Sequence, residues 1–178
     1  MLDQEYQELA RLLGLNATRE AASLLVRIGK TFDDPRPELV SPLLQHGDAR
    51  LRAEALFVLC CCWRRTEVRA VAERFWRDPE LDAEERARAL MAWACFDWRT
   101  ARRETLAQLV EIARDRGLPG ALRLSAVDEI FAVSGHPPPT MLGLEQDPDD
   151  VDGTIDWGRV EEALRAVSDP STSTGPAV

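Results

Sequence analysis

The sequence predicts an all-α fold, a short α-solenoid of about four helix pairs with a C-terminal capping helix. Three observations predict it. A nine-residue segment recurs at an offset of 34 residues. Apolar residues follow helical spacing, with no competing alternating pattern. Glycine and proline fall between the periodic stretches, where a helix has to stop.

The repeat is read most easily at its centre. Asp48-Ala-Arg-Leu-Arg-Ala-Glu-Ala-Leu56 aligns with Asp82-Ala-Glu-Glu-Arg-Ala-Arg-Ala-Leu90, and Cys61 aligns with Cys95. A weaker copy lies 37 residues further on, where Arg123, Ala126 and Val127 stand opposite Arg86, Ala89 and Leu90. Upstream, Arg19 and Ala22 stand opposite Arg52 and Ala55. In the second copy Leu51, Ala55, Leu56, Leu59 and Trp63 share one helical face. Asp48 and Asp82 sit where a carboxylate can accept hydrogen bonds from the first free amides. Gly47 is expected to end the preceding helix in a left-handed conformation.

Partner helices are predicted at Asp3–Leu13, Pro37–Gln45, Thr66–Arg77 and Thr100–Arg116. The pairs then span roughly 3–29, 37–63, 66–96 and 100–134, by the spacing of apolar residues and breakers. Asp34-Pro35, Asp78-Pro79, Gly117-Leu-Pro-Gly120 and Gly135 separate them. Residues 1–135 therefore read as the repeat domain. Residues 136–167 read as an acidic loop over 136–154 followed by a capping helix, with Asp156 at its N-cap and Val160, Ala163, Leu164 and Val167 as its apolar stripe. Residues 168–178, SDPSTSTGPAV, have the composition of a mobile tail.

The Asp-x-x-(Leu/Glu)-Arg-x-x-Ala-Leu helix resembles HEAT-like repeats of the short bacterial kind named after phycobilisome lyases. The resemblance covers roughly residues 15–135 and is clearest in the two middle copies. It implies a superhelix whose second helices line a concave groove. It also implies that Asp48, Arg52, Asp82 and Arg86 bridge neighbouring units and are structural.

Charge narrows the partner. The net charge is −9, but residues 1–135 carry 20 basic against 22 acidic side chains, and residues 136–178 carry two against nine. A nearly neutral body disfavours nucleic acid, which needs a basic face. No stretch approaches the roughly 18 apolar residues of a membrane span. The acidic N-terminus has no signal-peptide pattern. Cys60, Cys61, Cys62 and Cys95 lack metal-ligand spacing, and consecutive helical residues cannot share a disulfide, so unpaired thiols point to a cytoplasmic protein.

Catalysis is poorly supported. His46 is expected to meet free carbonyls at a helix end, and His136 lies in a turn. No phosphate loop, nucleophile elbow or metal motif is present, and no cofactor is implied. The acidic run Asp147–Asp156 approaches a calcium loop. With Asp150 in position three, Pro148 falls in position one and Arg159 in position twelve, where a bidentate Glu is needed; an acidic turn fits better.

Binding is therefore the leading reading: a non-catalytic protein-binding module, adaptor or inhibitor, with a toxin-neutralising immunity protein as one form. The stripe opposite the core is Arg50, Glu54, Phe57 and Cys61. It continues as Glu84, Arg88, Met91 and Cys95, then Ala121, Ser125, Asp128 and Ala132. Phe57 and Met91 are apolar where a merely solvated face would be polar, and mixed charge around an apolar centre suits a protein partner; the alternative is that both pack between adjacent repeats. Trp98, beside Arg99, Arg102 and Arg103, is a further anchor candidate against a packed turn residue. The alternatives are an enzyme of the phycobilisome-lyase type and a nucleic-acid-binding HEAT-like protein using the arginines of 64–77 and 99–103.

Overall fold

The computed structural model describes residues 2–31, 35–139, 147 and 149–168, and its regular structure is helical, with no strand among the described residues. Among the described residues ten α-helices follow in chain order: α1 (Leu2–Gly14), α2 (Thr18–Thr31), α3 (Pro37–Val40), α4 (Ala49–Leu56), α5 (Arg69–Arg77), α6 (Ala83–Ala94), α7 (Arg103–Arg114), α8 (Gly120–Ser134), α9 (Val151–Thr154) and α10 (Trp157–Ser168). Among the described residues, no helix is long and apolar enough to cross a membrane. The chain divides into two compact units, Met1–Phe96 and Asp97–Val178. Residue 135, the end of the repeat domain read from sequence, falls inside the second unit. Residues 169–178 of the predicted tail, and 140–146 and 148 of the predicted loop, lie outside the described residues.

In the first unit α1 and α2 are joined by a tight turn in which Asn16 takes a left-handed φ of 54°. A short polar side chain tolerates that conformation better than a branched one. α2 buries Ala21, Ala22, Leu24, Leu25 and Ile28 along one face, and it packs against α4. Just beyond α4 the approach is tight at Gly29, where an added Cβ would lie 2.7 Å from Val58 Cγ2. Beyond Leu56 the backbone of α4 widens into a π-helical stretch, Phe57–Cys62, in which the Trp63 amide bonds Val58 O at 2.9 Å and the Arg65 amide bonds Leu59 O at 2.8 Å.

The second helices carry the core. Leu51, Ala55, Leu56, Leu59, Ala89 and Leu90 are fully enclosed. Asp48 Oδ1 accepts from the Leu51 amide at 3.0 Å, and Asp82 Oδ1 from the Glu85 amide at 2.7 Å. These two aspartates thus cap their own helices. The repeat arginines also act mainly within their own pairs. Arg86 Nε donates to Trp76 O at 3.0 Å and Arg123 Nε to Ala113 O at 3.0 Å, each ten residues back. A guanidinium there satisfies a carbonyl at the end of the first helix that has no partner within that helix. Of the four residues expected to bridge neighbouring units, Arg52 does so: it reaches Glu85 in the following pair.

Four local expectations need correction. Gly47 is not left-handed; the described residues with positive φ are Asn16, Arg64, Arg99, Ala101 and Gly135. The His46 ring does not cap carbonyls, because its Nδ1 accepts from the Asp48 amide at 3.0 Å. The Pro37–Gln45 helix is one α turn followed by a tighter 3₁₀ turn, Ser41–Gln45. Pro42, which cannot donate, stands at the changeover. Helix α7 begins at Arg103, since Asp97–Ala101 are drawn into a turn.

In the second unit α7 and α8 form a pair. α8 ends in a Schellman arrangement: Gly135 has φ 84°, its amide bonds Ala132 O, and the His136 amide bonds Phe131 O at 2.8 Å. That φ is readily reached by glycine. α10 packs on α8 through Val160 and Ala163, which are almost fully buried. Part of the segment expected to be loop is helical: Asp150 caps α9 by accepting from the Gly153 amide at 3.1 Å.

Candidate functional site

Helices α4 and α6 lie side by side in the first unit. Arg52 pairs with Glu85, and Glu54 pairs with Arg88. Both partners advance along the chain together, so the helices run in the same sense. The offset in the second pair is the 34 residues of the repeat. Nearby, Arg50, Ala49 and Ala53 of α4 and Glu84 and Arg88 of α6 line one open depression of about 370 Å³. Arg50, Glu84 and Arg88 are exposed at its rim, whereas Glu54 is largely covered by its ion pair.

Further along the same stripe Phe57, Cys61 and Met91 are half-buried. Cys95 is not part of any open face. It is fully buried, and its thiol donates to Ala92 O at 3.1 Å. The reason is that α6 tightens after Ala94 into the turn Cys95–Asp97, while the Arg64 guanidinium donates to the Cys95 and Phe96 carbonyls. Burial pushes the Cys60 and Cys62 thiols up, which disfavours thiolate chemistry there.

Several arginines of the basic edge read from sequence have acidic or aromatic partners. Arg65 pairs with Glu67 and Arg77 with Glu73. Arg64 and Arg69 stand over the Phe96 ring at 5.5 and 5.7 Å, Arg69 also over Trp93, and Arg77 over Trp76 at 4.2 Å. These guanidinium groups cover aromatic rings more than they present a free cationic surface.

In the second unit Ala121, Ser125, Asp128 and Ala132 are half-buried on α8. Trp98, half-buried rather than a bare anchor, donates from Nε1 to Glu129 Oε2 at 2.6 Å. Glu129 is 5% exposed. Burial pushes its carboxyl up to about 8, further aided by Asp128 and opposed by the Trp98 hydrogen bond. Nothing in the sequence singles Glu129 out, because a glutamate on a helix is ordinarily a solvated residue.

The acidic segment distributes its carboxylates among separate partners. Arg123 Nη2 reaches Asp152 Oδ1 at 2.6 Å and Arg116 Nε reaches Oδ2 at 3.0 Å, and these guanidinium groups, Arg123 first, hold the Asp152 carboxyl below its ordinary range. Asp150 and Asp156 accept from the amides of Gly153 and Arg159. Among the described residues, no cluster of His, Cys, Asp and Glu could hold a metal ion. Comparison with protein-family models, with curated proteins and with solved structures returned no match.

Proposed function

We propose that this chain is a non-catalytic protein-binding module of the cytoplasm, built as a short α-solenoid of HEAT-like helix pairs, and that it acts as an adaptor or inhibitor on the face shared by α4 and α6. The observation that carries the reading is the depression between α4 and α6 with charges of both signs at its rim. Arg50, Glu84 and Arg88 line that depression, and Phe57 and Met91, at later positions of the same helical stripe by sequence periodicity, are half-buried. Charges of both signs around an apolar centre suit a protein surface, whereas a phosphate backbone calls for uniform basicity. The solenoid reading is supported by the contacts of α2 with α4 and of α4 with α6, the second helices of successive pairs. A toxin-neutralising immunity protein is one form such an inhibitor takes. Trp98 and Asp128, in the second unit, are separate contact candidates.

The test is capture of partners from the native host with the parent and with the Phe57→Asp, Met91→Asp double variant, circular dichroism serving as the folding control. A partner held by the parent and lost by the folded variant is the expected result. Equal capture by both would remove this face from consideration.

A further inference from the structure

Helix α7 carries two stripes. The inner one, Thr105, Leu106, Leu109, Ile112 and Ala113, is buried. The other runs through Arg103, Ala107, Val110 and Glu111, residues three and four apart that share one side of a helix. Such a stripe is polar throughout where a face meets only water. Here Ala107 is exposed and Val110 is half-buried, and the two charged residues stand at the ends.

Helix α10 turns this stripe into one wall of a groove. Leu164 and Val167 of α10 line it together with Leu106, Ala107 and Val110, around an open volume of about 690 Å³. About one turn beyond Glu111, the Arg114 guanidinium stands over the Trp157 ring of α10 at 5.5 Å, so it is engaged within the chain. Both helices belong to the second unit, so this groove is separate from the face of α4 and α6. An apolar groove between two helices accepts a third whose apolar residues recur at three and four. The outer stripe of α7 has that spacing itself.

The charges indicate which helix fits. Arg103 and Glu111 are exposed at the lining of the groove. Among the described residues neither is in an ion pair, whereas the nearby Arg102 and Arg116 are. They stand eight residues apart, about 12 Å along the axis, with Ala107 midway. Opposite charges at equal distances from a central residue complement themselves when the helix is turned end for end. We propose that this chain forms a twofold-symmetric dimer in which the α7 helices pack antiparallel about Ala107. Each Arg103 then faces Glu111 of the other copy, and the same contact recurs on the far side of the axis, as a closed twofold interface requires. Ala107 meets its own counterpart, and two methyl groups let the backbones come close. Each α7 lies in the groove between α7 and α10 of the other copy, where Val110, Leu164 and Val167 lose contact with water.

Sedimentation equilibrium of the full chain tests this, with circular dichroism as the folding control. A seam of under three turns is a small interface, so the measurement spans about 5 to about 500 µM. Low ionic strength is used, where exposed charges are screened least. The parent is expected to move from the monomer mass of 19.9 kDa toward twice that value. Arg103→Glu and Glu111→Arg, each alone, bring like charges face to face on both sides of the axis and should weaken association at least about tenfold. An equimolar mixture of these two single variants should recover the dimer, because acid again meets base at both contacts. The double reversal should recover it as well. A parent that stays monomeric over the whole range overturns the proposal. So does a parent dimer that the single reversals leave intact, which places the contact elsewhere. Failure of the mixture to associate overturns the antiparallel register, and the proposal with it.

Discussion

Arg52 and Glu85, thirty-three residues apart, meet in a two-pronged ion pair: Nε lies 2.6 Å from Oε1 and Nη2 lies 2.8 Å from Oε2. The remaining nitrogen, Nη1, donates to the carbonyls of His46 and Gly47 at 2.7 and 3.0 Å. One guanidinium thus closes the end of the preceding helical turn and joins α4 to α6. Both side chains are sheltered, at 18% and 3% exposure, so neither charge is well solvated once the other is removed.

Glu85→Ala is therefore expected to destabilise the protein by about 3–5 kcal/mol, the cost of leaving a sheltered charge unpaired. Arg52→Lys keeps the charge but loses the fork, and it should recover only part of the stability. Urea denaturation of the two variants checks both statements. Parental stability in Glu85→Ala would show that the pair contributes nothing net.

Gly29→Ala should destabilise by about 1–3 kcal/mol through overpacking. The added methyl would meet Val58 Cγ2 at 2.7 Å and Cγ1 at 3.0 Å, and a β-branched side chain has few rotamers to yield with. The companion Val58→Ala should relieve part of that cost. A thermal midpoint for Gly29→Ala at or above the parent's would refute the close approach of α2.

Leu56→Ala is expected to cost ~2–5 kcal/mol as a large-to-small change in an enclosed core. Leu56 is wholly buried between the paired helices. An unchanged urea midpoint would contradict that placement.

Glu129 makes stability depend on pH in a defined direction. Its folded value, about 8, is raised above the ordinary 4.5. Between these values the native state holds a proton that the unfolded chain has released. The contribution is therefore fully present below about pH 4.5 and is lost as pH rises toward 8, with a slope of up to ~1.4 kcal/mol per pH unit. Subtracting the pH profile of Glu129→Gln from that of the parent isolates it. A difference that stays constant from pH 5 to 8 would contradict the assignment.

The sequence by itself determined the helices and their inward faces. Asp48 and Asp82 announce helix starts, and Leu51, Leu56 and Leu90 fall at core positions because both signals are local. Partners separated by a repeat length were not legible in this way. That Arg52 meets Glu85 and Arg88 meets Glu54 depends on the lateral offset between two helices. That Glu129 is enclosed by Trp98 depends on where the turn after α6 is stitched to α8. The left-handed positions went to Arg64 and Arg99 rather than Gly47, since contacts to the carbonyls ending the next second helix hold the chain there. Tertiary packing decided these matters for one physical reason. Periodicity states which side of a helix is apolar, but the pairing of charges and the burial of a carboxyl are properties of surfaces brought together from distant parts of the chain.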